Sequence, residues 1–270
     1  MNLYLAESGG VWNAYFKERR EDVSKSIAQG VSHTEKSGIG SNLFTGTNIL
    51  QSFYYCDDFT VNMILPQCKN FMLDSGAFTF FSTGENTDWN AYIKKYADFI
   101  NKNKIDLFFE LDIDCLIGYD KVLYYRKKLE DLTGKPCIPV WHISRGKDEF
   151  IKMCEQYDYV AFGGLNTDGI PRKKIVEYMP WFVKTAHKYG AKIHGLGFTS
   201  LKDLPNIHFD SVDSTAWVSG NRFGSVYKFN GKTMIKYDKK QGQRLADAKA
   251  VALHNFKEWV KFSEYAEKYL

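Results

Sequence analysis

Seven short runs rich in β-branched and aromatic residues recur along this chain, with helical patterns between several of them, and this alternation most restricts its fold. The runs are LYLAE (3–7), FMLDS (71–75), DLFFELDI (106–113), CIPVWHI (137–143), YVAFGGL (159–165), KIHGLGF (192–198) and FDSVDS (209–214). Each reads as a strand buried on both faces. Between them, TDWNAYIKKYADFINKN (87–103) places Trp89, Tyr92, Ile93, Tyr96, Phe99 and Ile100 on one stripe, with Asp88 or Thr87 as cap. GYDKVLYYRKKLEDLTG stops at Gly134 and IPRKKIVEYMPWFVKTAHKYG at Gly190, as helices often do; Pro180 predicts a kink or two shorter helices in the latter.

Strands alternating with helices imply a parallel sheet with right-handed crossovers. Seven candidates between residues 3 and 214 suit a (β/α)8 TIM-type barrel better than an open sheet, which would carry a glycine fingerprint after its first strand. The eighth strand has no clear signal, and GVSHTEKSGIGSNLFTG (30–46) reads as a loop. Beyond Asp213 the pattern changes to a hairpin, SVYKFNGKTMIKY, turning at Asn230-Gly231, and an amphipathic helix from about Arg244 to Tyr269. No linker or run of like charge divides the 270 residues, so one domain, 1–270, is expected. The chain lacks a signal-peptide pattern or a membrane-length apolar stretch, and its five cysteines form no C-x-x-C pair. A reduced cytoplasmic protein is the simple reading. The formal charge of +4 permits an anionic partner without requiring one.

The strand ends are where chemistry is expected, because a parallel barrel builds its site at the C-terminal edge. Asp74 and Ser75 end one run; Glu110, Asp112 and Asp114 end the next. His142, Gly163 with Gly164, His194 with Gly195 and Gly197, and finally Asp213 follow. Singly, each has a plain structural reading: Asp74 could start a turn, Asp213 could cap a helix, and either histidine could be a bonded core residue. Together they bring carboxylates and backbone amides around a pocket with aromatic edges (Phe78, Phe162, Phe198). The histidines are too scattered for a typical zinc hydrolase, and no strand end offers a Schiff-base lysine. Two carboxylates suit displacement at a sugar carbon, one attacking the anomeric centre while the other moves the leaving group's proton.

LDSGAF, ELDID, VWH, FGGL, HGLGF and SVDSTAW, in that order between about residues 70 and 225, resemble the tRNA-guanine transglycosylase superfamily, and most of all its compact phage and bacterial relatives that put 7-deazaguanines into DNA. The resemblance implies a (β/α)8 barrel with Asp213 as nucleophile on C1′ and Asp74 as general acid/base. It implies a base pocket of Ser75, Phe78, Asp112, His142, Gly163, Gly164, Leu165, His194 and Gly197, with Asp112 facing the N–H edge of the base. His142 stands where the family usually has glutamine, and Arg222 falls where it holds the nucleic-acid backbone. The tRNA enzymes' C-x-C-x-x-C zinc cluster has no counterpart here, so no zinc or other cofactor is expected, and DNA is favoured over tRNA as partner. The implied incoming base is a 7-deazaguanine such as a preQ0-type precursor. No membrane partner is expected, and a homodimer or an accessory protein fits the superfamily. The other readings are a tRNA-acting enzyme, a base-releasing glycosidase, a non-catalytic nucleic-acid-binding subunit, and an unrelated barrel enzyme for a small phosphorylated substrate.

Overall fold

The computed structural model describes residues 1–7, 11–12, 15, 43–76, 79–80, 87–163, 170–198, 200–218, 223–240, 242 and 247–270. Among these, eight parallel strands form one curled sheet: β1 (Asn2–Glu7), β2 (Asn48–Ser52), β3 (Asn70–Asp74), β4 (Leu107–Phe108), β5 (Val140–Trp141), β6 (Tyr159–Phe162), β7 (Lys192–Gly195) and β8 (Ser211–Ser214). The spatial order is β4-β3-β2-β1-β8-β7-β6-β5. Its outer strands approach each other through an isolated parallel bridge, Phe109↔Ile138, with Ile138 N donating to Phe108 O at 2.8 Å and Glu110 N to Ile138 O at 3.1 Å.

The strand without a sequence signal is β2, NILQS. All five of its residues are buried, so neither alternation nor length marks it, and Gln51 and Ser52 disguise it as loop. Most of the 30–46 segment lies outside the described residues.

Among the described residues seven helices follow strands on the outside of the sheet: α1 (Asp58–Ile64), α2 (Trp89–Asn103), α3 (Asp114–Ile117), α4 (Tyr119–Thr133), α5 (Gly146–Gln156), α6 (Arg172–Lys188) and α7 (Leu204–Ile207). Asp88 caps α2, its Oδ1 accepting from Asn90 N and Ala91 N at 2.9 and 3.1 Å. Of the predicted stripe, Ile93, Tyr96 and Ile100 turn inward, joined by Ala97. α6 is one helix through Pro180, not two. The single intrahelical bond that proline forfeits is offset by buried Ile175 and Met179 on one side and Phe182, Val183 and Ala186 on the other.

The hairpin is β9 (Ser225–Phe229) with β10 (Met234–Asp238), and the chain closes on α8 (Ala248–Tyr269). Phe229 pairs with Met234, so the turn spans four residues rather than Asn230-Gly231 alone, with Asn230 Oδ1 accepting from Lys232 N and Thr233 N. α8 packs along β1 and β9, where Ser263 Oγ donates to Leu3 O and Asn255 Oδ1 accepts from Tyr227 N.

Period-two alternation sorts the core into two layers. Leu3, Leu5, Ile49, Phe71, Leu73, Phe108, Trp141, Val160, Phe162, Ile193 and Val212 face the helices. Tyr4, Ala6, Leu50, Met72, Phe109, Ile138, Val140 and Ala161 pack on the concave face. That second cluster draws on both edges of the sheet.

Candidate active site

Parity decides which strand-end residues meet. Asp74 follows Met72, His142 follows Val140, Gly163 follows Ala161, and Asp213 lies in register with Tyr4, so all four continue the concave face. Asp210 is an odd number of residues from Asp213 and serves the opposite face: its Oδ2 accepts from Ile193 N at 2.8 Å and meets His187 Nε2 at 2.9 Å. Two aspartates three apart therefore have separate jobs, one holding β7 to β8 and the other facing the concave side of the sheet.

Asp213 is 7 % exposed. Its Oδ1 accepts from the amide of Gly197 at 2.6 Å and lies 3.2 Å from His194 Nε2. His194 has no exposure, and its Nδ1 lies 2.5 Å from Ser211 Oγ, so both ring nitrogens are engaged inside the protein. Trp217 anchors the segment after β8: its indole N–H donates to Ala6 O at 2.7 Å, and its ring stacks on Trp12 with centroids 5.0 Å apart.

Asp74 is held from both sides along the backbone. Tyr96 OH shares its proton between Leu73 O and Phe109 O, each at 3.1 Å, and Tyr92 OH donates to Ser75 O at 2.6 Å, so α2 contacts the carbonyl before and the carbonyl after it. The sequence pattern places these tyrosines on a packing stripe and gives no sign of their hydroxyls, which face the strand end one helical turn apart. Asp74 Oδ2 accepts from Gly76 N at 2.9 Å. Desolvation pushes the Asp74 carboxyl up to about 6, the nearby charges of Asp112 and Asp213 add to this, and the Gly76 amide and Ser52 hydroxyl oppose it. Ser75 is fully buried, and its Oγ finds no partner among the described residues.

Gly76 makes this turn possible. It sits at φ +78°, and a Cβ there would lie 2.7 Å from Tyr54 Cβ and 3.0 Å from Tyr54 N. Gly76→Ala is expected to lose about 1–3 kcal/mol of stability and to disturb Asp74. Gly46→Ala, at φ +73° in open space, pays only the backbone term and should lose less. Urea unfolding of both variants measures the difference, and equal losses would remove the clash from the explanation.

The third group spans the outer strands. His142 Nε2 and Asp112 Oδ1 are 2.5 Å apart, both partly exposed. Burial works against a charged imidazole, but the charge and hydrogen bond of Asp112, with Asp114 behind it, outweigh burial and the opposing Arg145 and raise His142 above its ordinary value. Gly163 leaves room for that ring, since a Cβ would come within 2.8 Å of His142 Cε1. Glu110, grouped by sequence with Asp112 at a strand end, points to the helices instead. It is fully buried and accepts from Arg126 Nε at 2.5 Å, Arg145 NH1 at 3.0 Å and Val140 N at 2.8 Å. Arg145 was not singled out in the sequence, although three acids ending one strand called for a cation.

Asp112, Asp114 and His142 bring one donor atom each within 4.8 Å of one another, a set that could hold a metal. The Arg145 guanidinium already stands among them, with Nε 3.1 Å from Asp114 Oδ2 and NH2 3.8 Å from Asp112 Oδ1, and supplies the cation there. Phe78, Gly164, Leu165 and Arg222 lie outside the described residues.

No family model matches the chain, and no curated protein matches it. Among solved structures it is similar to "QR15, an Aldolase", with a TM-score of 0.45, 13 % identity, and coverage of 80 % of this chain and 90 % of that one. It is also similar to the carboxyl transferase domain from Rhizobium etli pyruvate carboxylase with pyruvate, with a TM-score of 0.41, 13 % identity, and coverage of 84 % of this chain and 41 % of that one. Among the described residues no helix is long and apolar enough to cross a membrane, and no two cysteines are joined by a disulfide.

Proposed function

We propose that the chain is a base-exchange transglycosylase on a (β/α)8 barrel, replacing guanine in a nucleic acid, with DNA favoured, by a 7-deazaguanine. The observation that carries this reading is the pairing of Asp74 and Asp213 on one concave face. Each accepts a main-chain amide, from Gly76 and from Gly197; desolvation holds Asp74 ready to carry a proton, and Asp213 Oδ1 is also met by His194 Nε2. The bridge between the outer strands and the concave cluster drawn from both edges support the barrel.

The chemistry follows from the groups present. Asp213 attacks C1′ of the flipped-out nucleotide, the N-glycosidic bond breaks, and its electron pair stays on the departing guanine, which takes the proton of Asp74. A 7-deazaguanine then gives its ring N–H proton to Asp74 as that nitrogen bonds C1′ and expels Asp213. Asp112 offers a carboxylate oxygen to the N–H edge of the base, and His142 offers a ring donor to its carbonyl. The preference for DNA rests on the absent C-x-C-x-x-C cluster.

The test is incorporation of labelled guanine or 7-deazaguanine into duplex DNA and tRNA in parallel. Label in DNA supports the full reading, and label in tRNA alone corrects the substrate. Label in neither rejects the transglycosylase.

Asp74 gives a second check with a determined sign. As the acid for adduct formation it must be protonated, so kcat/KM for the nucleic acid should fall about tenfold per pH unit above about 6. The raised carboxyl also costs the fold. The unfolded chain ionises at the ordinary value near 3.8, so stability declines as pH rises from there to about 6 and then levels off. Asp74→Asn should therefore lose activity, gain about 1–3 kcal/mol of stability at pH 7 and gain little at pH 4. Retained exchange in this variant would remove Asp74 from proton transfer.

A further inference from the structure

A chain of hydroxyl and imidazole groups crosses the concave face beneath Asp213. Tyr159 begins β6 at the N-terminal end of the sheet, and its hydroxyl lies 2.5 Å from Ser211 Oγ on β8. Ser211 Oγ lies 2.5 Å from His194 Nδ1 on β7, and His194 Nε2 lies 3.2 Å from Asp213 Oδ1, back on β8. The ladder explains the path: His194 pairs with Ser211 and Ala161, while Ser211 and Asp213 are two residues apart on one face. Ser211 and His194 have no exposure. The imidazole is wedged between the edge of Tyr4, with centroids 5.9 Å apart, and Phe109, at 5.4 Å.

We propose that His194 is a positioning residue, held by Tyr159 and Ser211 as the Nε2–H tautomer, and that it commits Asp213 Oδ1 so that Oδ2 is the attacking oxygen. This rests on the transglycosylase reading for the role of Asp213, but the tautomer does not. Burial keeps the Tyr159 phenol protonated, its ionisation pushed up to about 12, so it has a proton to give Ser211 Oγ. Ser211 has one hydroxyl proton, which is free to point at Nδ1, and Nδ1 can accept it only without a proton of its own. The imidazole proton then resides on Nε2, facing a carboxylate. The opposite tautomer would set two lone pairs against each other at 3.2 Å, relieved only by a further proton on the nucleophile or on Nε2 itself. His194 Nε2 and the Gly197 amide both converge on Oδ1, so neither blocks Oδ2.

Nitrogen-15 NMR of histidine-labelled full-length protein reads the tautomer directly, with the His194 signals assigned by their loss in His194→Gln. The expected result is a protonated Nε2 and a bare Nδ1 in the native protein. Ser211→Ala should add an Nδ1–H population, and Tyr159→Phe, which leaves the buried serine in place, should add a smaller one. In single-turnover assays Ser211→Ala should slow adduct formation on the order of 10²-fold with KM nearly unchanged, as a mis-set tautomer does. His194→Gln supplies a side-chain N–H to Asp213 with no tautomer to set, so adding Ser211→Ala to it should slow the reaction much less.

A bare Nε2, a doubly protonated ring, or a tautomer indifferent to both Ser211→Ala and Tyr159→Phe would overturn the proposal. Absence of any adduct in the native protein would reject the transglycosylase instead, and the NMR result would still decide the state of His194.

Discussion

Asp213→Asn is expected to eliminate the covalent sugar adduct and to lower base exchange by about 10⁴-fold or more, the scale seen when a nucleophile is removed. The fold should survive, because the asparagine oxygen can occupy the Oδ1 position and still accept from Gly197 N and His194 Nε2. What changes is the other atom: an amide nitrogen replaces Oδ2, and it has no lone pair suited to attacking C1′. Denaturing electrophoresis of protein mixed with labelled nucleic acid, alongside the incorporation assay, measures both effects. Adduct persisting in the variant would move the nucleophile elsewhere, and Asp74 would be the first place to look.

Glu110→Ala should produce the largest loss of stability. Glu110 has no exposure, and its two strongest partners are guanidinium groups whose side chains are 5 % and 1 % exposed. Replacing the pair with apolar groups could be neutral, but removing one member leaves Arg126 and part of Arg145 uncompensated, at a cost of about 3–5 kcal/mol. Val140 N loses its acceptor as well. Against a total of about 5–15 kcal/mol for a typical domain, this approaches unfolding. Glu110→Gln should fall between, since its carbonyl can still serve Val140 N. Urea denaturation at pH 7 orders the three proteins, and a loss below about 1 kcal/mol for the alanine variant would mean that water reaches the arginines.

Sequence reading went furthest where one residue carries one signal. Asp74, Asp213 and His142 end buried runs, and each lies on the concave face. It was blind where the deciding fact is which way a side chain points. FFELDID is buried on both sides, so nothing in it separates Glu110, which turns to the helices, from Asp112, which turns to His142. β2 stayed hidden for a related reason: five buried residues with a polar end have neither the alternation of a half-exposed strand nor the length of a helix. The supports of the site, Tyr92, Tyr96, Arg145 and Ser211, act across the fold through contacts that no local pattern encodes.

The join between the outer strands has a mechanical consequence. Elsewhere in the sheet backbone ladders set the spacing, but past the Phe109↔Ile138 bridge side chains take over: Glu110 accepts from Val140 N, and Arg145 donates to Val140 O. Asp112 and His142 stand on the two lips of that join. It is a buckle rather than a weld, and the amides of Ile138 and Val140 should exchange with solvent through smaller openings than those of β1 and β2. The two lips are then held by charge, with Asp112 and His142 in contact across them and one carboxylate behind, Glu110, tying Arg126 to Arg145.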